Sequence, residues 1–464
     1  MSSQRLHGCL ITLCLLLSCR FSVAADSQNS SSSPSTPAPM APVSSNATST
    51  YGTPANPSAI PDQVGSNATT PPAAMALPVT TDVTTRKFYT LTASLREIYD
   101  DNVNTSNSNP QASFETVLSP SVLVDFPTTD GDFSARYTMT LTYYTVGPNN
   151  GVNNNSTDKN GPETQFTQEF IAQYTHNFSD RFNLNLSDGF RDFTQPSLDQ
   201  STGTNYENGP YISNVFSGSL SAQWTPLIGT TSSYSNSVVR YDNSTVAQFQ
   251  DSVENTGTQV ISYAIRPKVS LDVGVIVDDI SYTDAQRGYT TYTGFGGASW
   301  QVLPSLSLSG RGGATYIEPV VGTSSISPYG ALTIAWTIGA RSTLTFDYAH
   351  EITPSDQIGA NGQTSDRFSS NVTYEITPRL SSHLSANYTH GDVSNTLATA
   401  GGGNGQQQDV YYVDTGLAYH YNSYLDLDTG VTLSGVSNED SSNTNSNSQN
   451  YTRDQLYLGV RGTY

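Results

Sequence analysis

Cysteine is nearly absent from this chain, and no cysteine lies beyond residue 19. Cys9, Cys14 and Cys19 are the whole complement in 464 residues. Past that point a disulfide framework, a thiolate metal site and a cysteine nucleophile are excluded. Long apolar runs are missing too: beyond residue 25 none approaches the ~20 residues a membrane-crossing helix needs. Charge is scarce and mostly of one sign. Charged residues are 12% of the chain, and 19 Lys and Arg against 39 Asp and Glu leave a formal charge of −20. With no basic patch to neutralise phosphates, nucleic acid is not an expected partner. Phosphate-loop, zinc and dinucleotide motifs are missing as well, so no cofactor and no metal is expected. What the chain does have is aromatic: 28 Tyr and 16 Phe in a sequence only 35% hydrophobic. Together with many β-branched residues they set it apart from a disordered polymer.

The N-terminus reads as an export signal. Arg5 and His7 precede the apolar run 10–17, and Ser22-Val23-Ala24-Ala25 offers a small-residue cleavage site before Asp26. Leu16-Leu17-Ser18-Cys19 also resembles a bacterial lipobox, which would make Cys19 a lipidation site. That reading ranks second, because Arg20 and Phe21 would make an awkward mature start. Residues 26–86 follow, rich in Ser, Pro, Ala and Thr and without Lys or Arg until Arg86. Such a segment cannot bury enough apolar surface to fold, so a disordered linker is expected, inert in preference to a tether.

Residues 87–464 repeat one unit: a tight turn, an alternating strand, a long polar loop and a second alternating strand. Phe133, Ala135, Tyr137, Met139, Leu141 and Tyr143 share one face, with Ser134, Arg136, Thr138, Thr140, Thr142 and Tyr144 on the other. Val269, Leu271, Val273, Val275 and Val277 repeat the pattern, as do Leu344, Phe346 and Tyr348. Period 2 at this length is a strand signature, not a helical one. Residues 231–241 and 288–302 are poorly patterned. Connections alternate in length: short at 127–131, 179–181, 226–230, 266–268, 303–305, 339–341, 377–379 and 422–423, long at 147–162, 192–210, 391–407 and 437–450. Short turns on one side and long loops on the other are the pattern of a transmembrane barrel. Phe126, Phe178, Trp224, Trp300, Trp336 and Tyr421 gather beside the short turns, where an interfacial aromatic girdle belongs. The fold class expected is all-β: an antiparallel up-and-down transmembrane β-barrel of about 18 strands, with about 16 as the neighbouring even count. Both termini then lie on the periplasmic side and the long loops outside.

The chain closes on a strand. Leu456, Leu458, Val460 and Tyr464 fall on one apolar face, while Arg461 falls on the other. This ending resembles the C-terminal signature that barrel-assembly machinery reads in bacterial outer-membrane proteins. The segment Leu91 to Val103, with Tyr99-Asp100-Asp101-Asn102, resembles the first strand and loop of outer-membrane β-barrel porins of Gram-negative-type bacteria. The resemblance implies an outer-membrane location, contact with outer-membrane lipid or lipopolysaccharide, and a pore or polysaccharide-associated channel. It supplies no functional residues to transfer. Physically, Asp100, Asp101 and Asn102 suit an Asx turn leaving the strand. Calcium is the weaker reading, since one short cluster supplies too few oxygen ligands.

No catalytic constellation emerges. His350 lies three residues from Asp347, which period 2 places on the opposite face, and rim or lumen histidines without catalytic work are the favoured reading. Gly294 to Gly297 reads as a strand kink. The candidate functional residues are lumen charges: Arg96, Arg136, Glu169, Arg191, Asp272, Asp278, Arg311, Asp347 and Arg461. Facing rings of opposite sign would bias ion selectivity, whereas local pairing would merely stiffen the wall. Two classes of function remain, with an enzyme a distant third. One is a porin-like channel for small polar solutes or saccharides. The other is a non-conducting barrel that serves as surface adhesin, anchor or exopolysaccharide-export component. Oligomeric state is left open.

Overall fold

The computed structural model describes residues 88–107, 109–148, 162–193, 210–355, 360–393, 406–439 and 450–464. The signal peptide with Cys19, the 26–86 linker and most of the four long loops named above lie outside the described residues.

The described chain is a ring of antiparallel strands. In order these are β1 (Tyr89–Asp100), β2 (Ser113–Pro127), β3 (Gly131–Tyr144), β4 (Glu163–Ser179), β5 (Phe182–Phe193), β6 (Tyr211–Gln223), β7 (Ile228–Tyr241), β8 (Ser252–Arg266) and β9 (Val269–Tyr282). The second half continues with β10 (Gly288–Leu303), β11 (Leu306–Pro319), β12 (Ser325–Ile338), β13 (Ser342–Thr353), β14 (Gln363–Thr377), β15 (Leu380–Val393), β16 (Gln406–Asn422), β17 (Leu425–Glu439) and β18 (Tyr451–Thr463). One short helix, α1 (Ser244–Gln250), sits between β7 and β8. Each strand pairs with its sequence neighbours, and β18 pairs back onto β1, so the 18-stranded sheet has no edge. At the seam Leu91 N–H donates to Tyr464 O at 3.0 Å and Tyr464 N–H to Leu91 O at 2.8 Å. The strands at 228–241 and 288–303 form despite their weak patterning, because ladders on both sides hold them.

Alternation decides which side chain meets which solvent. On β18 Leu456, Leu458 and Tyr464 point outward, with Leu458 64% exposed, while Arg453, Gln455 and Tyr457 point inward and are buried. On β9 Leu271, Val273, Val275 and Val277 are outward. A band of exposed aliphatic and aromatic side chains around a polar interior is the reverse of a soluble barrel, and it suits a lipid surround. Tyr89 and Tyr99 bound this band on β1. Their separation is about 25 Å along the barrel axis at ~3.3 Å per residue and a tilt near ~40°.

The turns follow from local side-chain chemistry. Ser179, Thr225, Thr377 and Asn422 each offer a side-chain oxygen to the backbone N–H two residues on, those of Arg181, Leu227, Arg379 and Tyr424. Pro267, Pro304 and Pro378 sit just past the ladders, where no N–H is required. Gly339 opens its turn at φ +65°, a conformation that favours glycine. The kink expected at 294–297 does not occur: the ladders to β9 and β11 run through it without a register shift. Gly294 and Gly296 face outward and open, while Gly297 leaves room for Arg311, whose Cγ a Cβ at 297 would meet at 2.6 Å.

Candidate functional site: the lumen wall and its rims

All nine charges singled out from the sequence stand on inward-facing positions, and the register joins them in local clusters. Glu169 on β4 lies between Arg191 on β5 (2.8 Å) and Arg136 on β3 (3.6 Å). Arg311 meets Asp272 at 3.8 Å and lies 4.8 Å over the Phe295 ring. Arg461 meets Asp426 at 2.8 Å, and Asp426 also accepts from His420 at 2.7 Å. Arg96 on β1 reaches past β18 to Asp428 on β17, at 2.5 Å. That reach needs Gly459, because a Cβ there would meet Asp428 Oδ1 at 2.5 Å. Asp278 and Asp347 instead accept from hydroxyls, of Thr256 at 2.8 Å and of Thr333 at 2.5 Å. Charges paired with strand neighbours stiffen the wall, and they carry less field across the lumen than rings facing each other would.

Tyr457 adds a feature the sequence did not suggest. Its ring crosses Gly430 and Gly416, whose Cβ atoms would meet Tyr457 Oη at 2.4 and 2.7 Å. It lies 4.5 Å from the Arg96 guanidinium and ends 3.4 Å from His383 Nε2. His383 Nε2 is also 2.7 Å from Asp414 Oδ2, and Asp414 Oδ1 accepts from Thr432 at 2.8 Å. Two glycines thus make space for a ring that braces β15 to β18 and β1.

Toward the long-loop rim the interior changes character. Inward positions read from the sequence are largely Ser, Thr, Asn, Gln and Tyr with scattered charges, and near this rim apolar residues join them. Inward Ile98, Val117, Tyr144, Phe193, Tyr211, Tyr289, Val410 and Tyr451 are all buried. Val246 and Ala247 of α1 pack on the cluster of Phe193, Tyr211, Val239 and Tyr241. Arg287, in the β9–β10 connection, is 2% exposed and donates to three carbonyls of neighbouring connections: Ala360 (2.9 Å), Ser355 (2.9 Å) and, in α1, Phe249. Its guanidinium lies 4.1 Å from the Tyr282 ring. Asn361 extends the knot, accepting from Gly288 N–H at 3.1 Å and donating to Val321 O at 3.1 Å. These contacts draw the β7–β8, β9–β10, β11–β12 and β13–β14 connections together.

At the seam Arg453 is completely enclosed. It donates to Asp100 (Nε, 2.7 Å) and stands 3.5 Å from Glu115, while Gln455 also donates to Asp100 at 3.0 Å. The Asx turn read from the sequence is present: Asn102 N–H donates to Asp100 Oδ1 at 2.9 Å. Asp101 Oδ1 accepts from Asp454 N–H, and partial burial lifts the Asp101 carboxyl above its ordinary range.

The outer surface carries aromatic side chains near both rims. Phe126, Phe178, Trp224, Trp300, Trp336 and Tyr421 are exposed near the short turns. Phe126 stacks between Phe88 and Phe133, and Phe182 meets Trp224 edge-on. A second set lies toward the long loops: Tyr99, which the sequence already places at the outer interface, with Phe114, then Tyr292 with Tyr316, and Tyr348, Phe368 and Tyr388 in a row. Just beyond that last row, the strand register aligns His350, Asp366, His390 and Asp409 on four consecutive strands. As expected, Asp347 and His350 take opposite faces, since Asp347 bonds inward Thr333 and His350 bonds outward Asp366. The sequence signal that could have found the row is the repeated Tyr-x-His of Tyr348/His350 and Tyr388/His390.

A family model described as "Putative beta-barrel porin 2" matches residues 327–464. No curated protein matches the chain in sequence. Among solved structures, the chain is similar to the outer membrane protein opdK from Pseudomonas aeruginosa, with 10% identity, a TM-score of 0.41 and 81% of this chain covering 98% of that one. It is also similar to a BenF-like porin from Pseudomonas fluorescens Pf-5, with 10% identity, a TM-score of 0.42 and coverage of 81% and 99%. For the siderophore receptor PiuA from Acinetobacter baumannii the identity is 11%, the TM-score 0.43 and the coverage 82% of each chain.

Proposed function

We propose that this chain, a porin-like outer-membrane β-barrel, is a passive-diffusion channel for small polar solutes or saccharides. In this reading the short turns and both termini face the periplasm and the long loops face outward. The observation that carries it is the interior: a closed wall of paired charges, hydroxyls and amides, with buried apolar clusters and packed connections at the long-loop rim. Polar groups in such a wall keep water and hydroxylated solutes hydrogen-bonded as they pass. The knot around Arg287 supports a constriction at that rim. The six aromatics near the short turns would anchor the periplasmic interface, and Leu456, Leu458, Val460 and Tyr464 would serve as the segment read by the assembly machinery. The refolded protein in a planar bilayer is expected to give discrete conductance steps. Their absence across salt and voltage would sink the channel reading.

The same rim supports a second reading. Its inward aromatics are buried in apolar clusters, one of them packed by α1. A barrel sealed there would be a non-conducting anchor or surface-presentation protein, and silent bilayers would favour it.

A further inference from the structure

The outward row His350, Asp366, His390 and Asp409 has no part in the lumen. Its geometry occurs twice. Asp366 Oδ1 accepts from Tyr348 Oη at 2.7 Å and from His350 Nδ1 at 2.9 Å, and Asp409 Oδ1 accepts from Tyr388 Oη at 2.7 Å and from His390 Nδ1 at 2.8 Å. We propose that this row binds the phosphate of anionic lipid headgroups through Nε2 of His350 and His390.

Three observations carry the proposal. First, Oδ1 of each carboxylate accepts from two donors of its own strand pair and so fixes an imidazole. A carboxylate can only accept, so Nδ1 must be the donor, and Nε2 is left facing away with no hydrogen bond among the described residues. On protonation Nε2 becomes a charged donor suited to a phosphate oxygen. Second, the row lies at headgroup level. Tyr348, Phe368 and Tyr388 pack as a row of tilted rings immediately below it, and such aromatics mark the edge of the hydrocarbon. The histidines stand two residues further along, about 5 Å at ~3.3 Å per residue and a ~40° tilt. Third, the side chains are accessible, with His350 and His390 23% and 35% exposed. β13 and β15 are two strands apart, about 10 Å at the ~4.8 Å strand spacing, wide enough for the two imidazoles to flank one headgroup.

The charges around each histidine are these. His350 faces Asp366 on one side and Gly330 on the other. His390 lies between Asp366 and Asp409, with Asp392 next on the same face of β15. These surroundings are acidic, so lipid binding through Nε2 requires the imidazolium and should depend on pH.

The test is native mass spectrometry of the full chain, released from phosphatidylcholine vesicles containing phosphatidylglycerol. The readout is the number of phosphatidylglycerol molecules retained. Retention is expected to be at least about threefold greater at a pH of about 5.5 than at about 8. The double variant His350→Gln/His390→Gln should lose that difference. His176→Gln should keep it, because His176 packs between Tyr174 and Phe178 at the opposite rim with no carboxylate partner among the described residues. A folded, fast-migrating band on unheated gels qualifies each variant. A double variant that still retains the extra lipid at low pH would overturn the proposal, as would native retention equal at both pH values. If inorganic phosphate alone forms the same pH-dependent adduct on lipid-free protein in detergent, the site is one for soluble phosphate and the headgroup assignment fails. None of these outcomes depends on whether the barrel conducts.

Discussion

Arg453 is enclosed at the seam, 1% exposed and set between two carboxylates that are wholly buried. Removing it leaves Asp100 and Glu115 without a cation in a dry site. Truncating one partner of a buried pair costs about 3–5 kcal/mol. Arg453→Met is therefore expected to lower the urea midpoint of the folded gel band sharply. Glu115→Gln should behave differently. Neither Glu115 oxygen makes a hydrogen bond of good geometry, so neutralising it should cost under about 1 kcal/mol or stabilise the barrel. If both variants are equally destabilised, Glu115 contributes as a charge after all. Glycines offer a second residue-scale contrast. A Cβ at Gly430 would meet Thr415 O and Tyr457 Oη, each at 2.4 Å, whereas one at Gly330 meets nothing within 4 Å. Gly430→Ala is expected to cost about 1–3 kcal/mol through the displaced ring, and Gly330→Ala to be neutral or stabilising. Denaturation midpoints of the two variants compare them directly.

At the scale of the strand, the sequence was readable wherever the chemistry is local. Alternation marked Phe133 to Tyr143 and Val269 to Val277 as outward faces, and Pro, Ser, Thr and Asn at the short turns marked where strands reverse. Period 2 also placed Arg96, Arg136 and Arg311 inward. What alternation cannot supply is register. His350 finds Asp366, and His390 finds Asp409, only because neighbouring strands align them. Arg96 reaches Asp428 across a whole intervening strand by way of Gly459, 31 residues further along the chain from that aspartate. Such pairs depend on how far each hairpin slides, which one-dimensional periodicity does not encode. The loop knot at Arg287 was hidden for a different reason: its partners are backbone carbonyls, which any residue can offer. The terminal strand yields a prediction at this scale. Deleting Tyr464 removes both backbone bonds to Leu91 at the seam. Membrane levels in cells should fall strongly while refolding into detergent micelles persists. Unchanged membrane levels would count against an assembly role for that ring.

For the whole molecule, the wall and its two rims answer to different solvents. The central band suits hydrocarbon, the interior is held by neighbouring charge pairs, and the long-loop rim is tied by the buried side chains of Arg287 and Asn361. Arg287→Ala should free the β7–β8, β9–β10 and β13–β14 connections from one another, leaving the Asn361 bond to Val321 and the strand ladders intact. Larger single-channel conductance, with an unchanged folded band on unheated gels, is the expected result; conductance identical to the native protein would show that the knot does not set the constriction. The seam carries a consequence for topology. β1 and β18 pair by the same antiparallel ladder as any other two neighbours, so the ring has no privileged first strand. A circular permutant that links Tyr464 to Phe88 through a short flexible peptide and opens between Pro378 and Arg379 should refold to the same cylinder, with its old ends converted into one more hairpin.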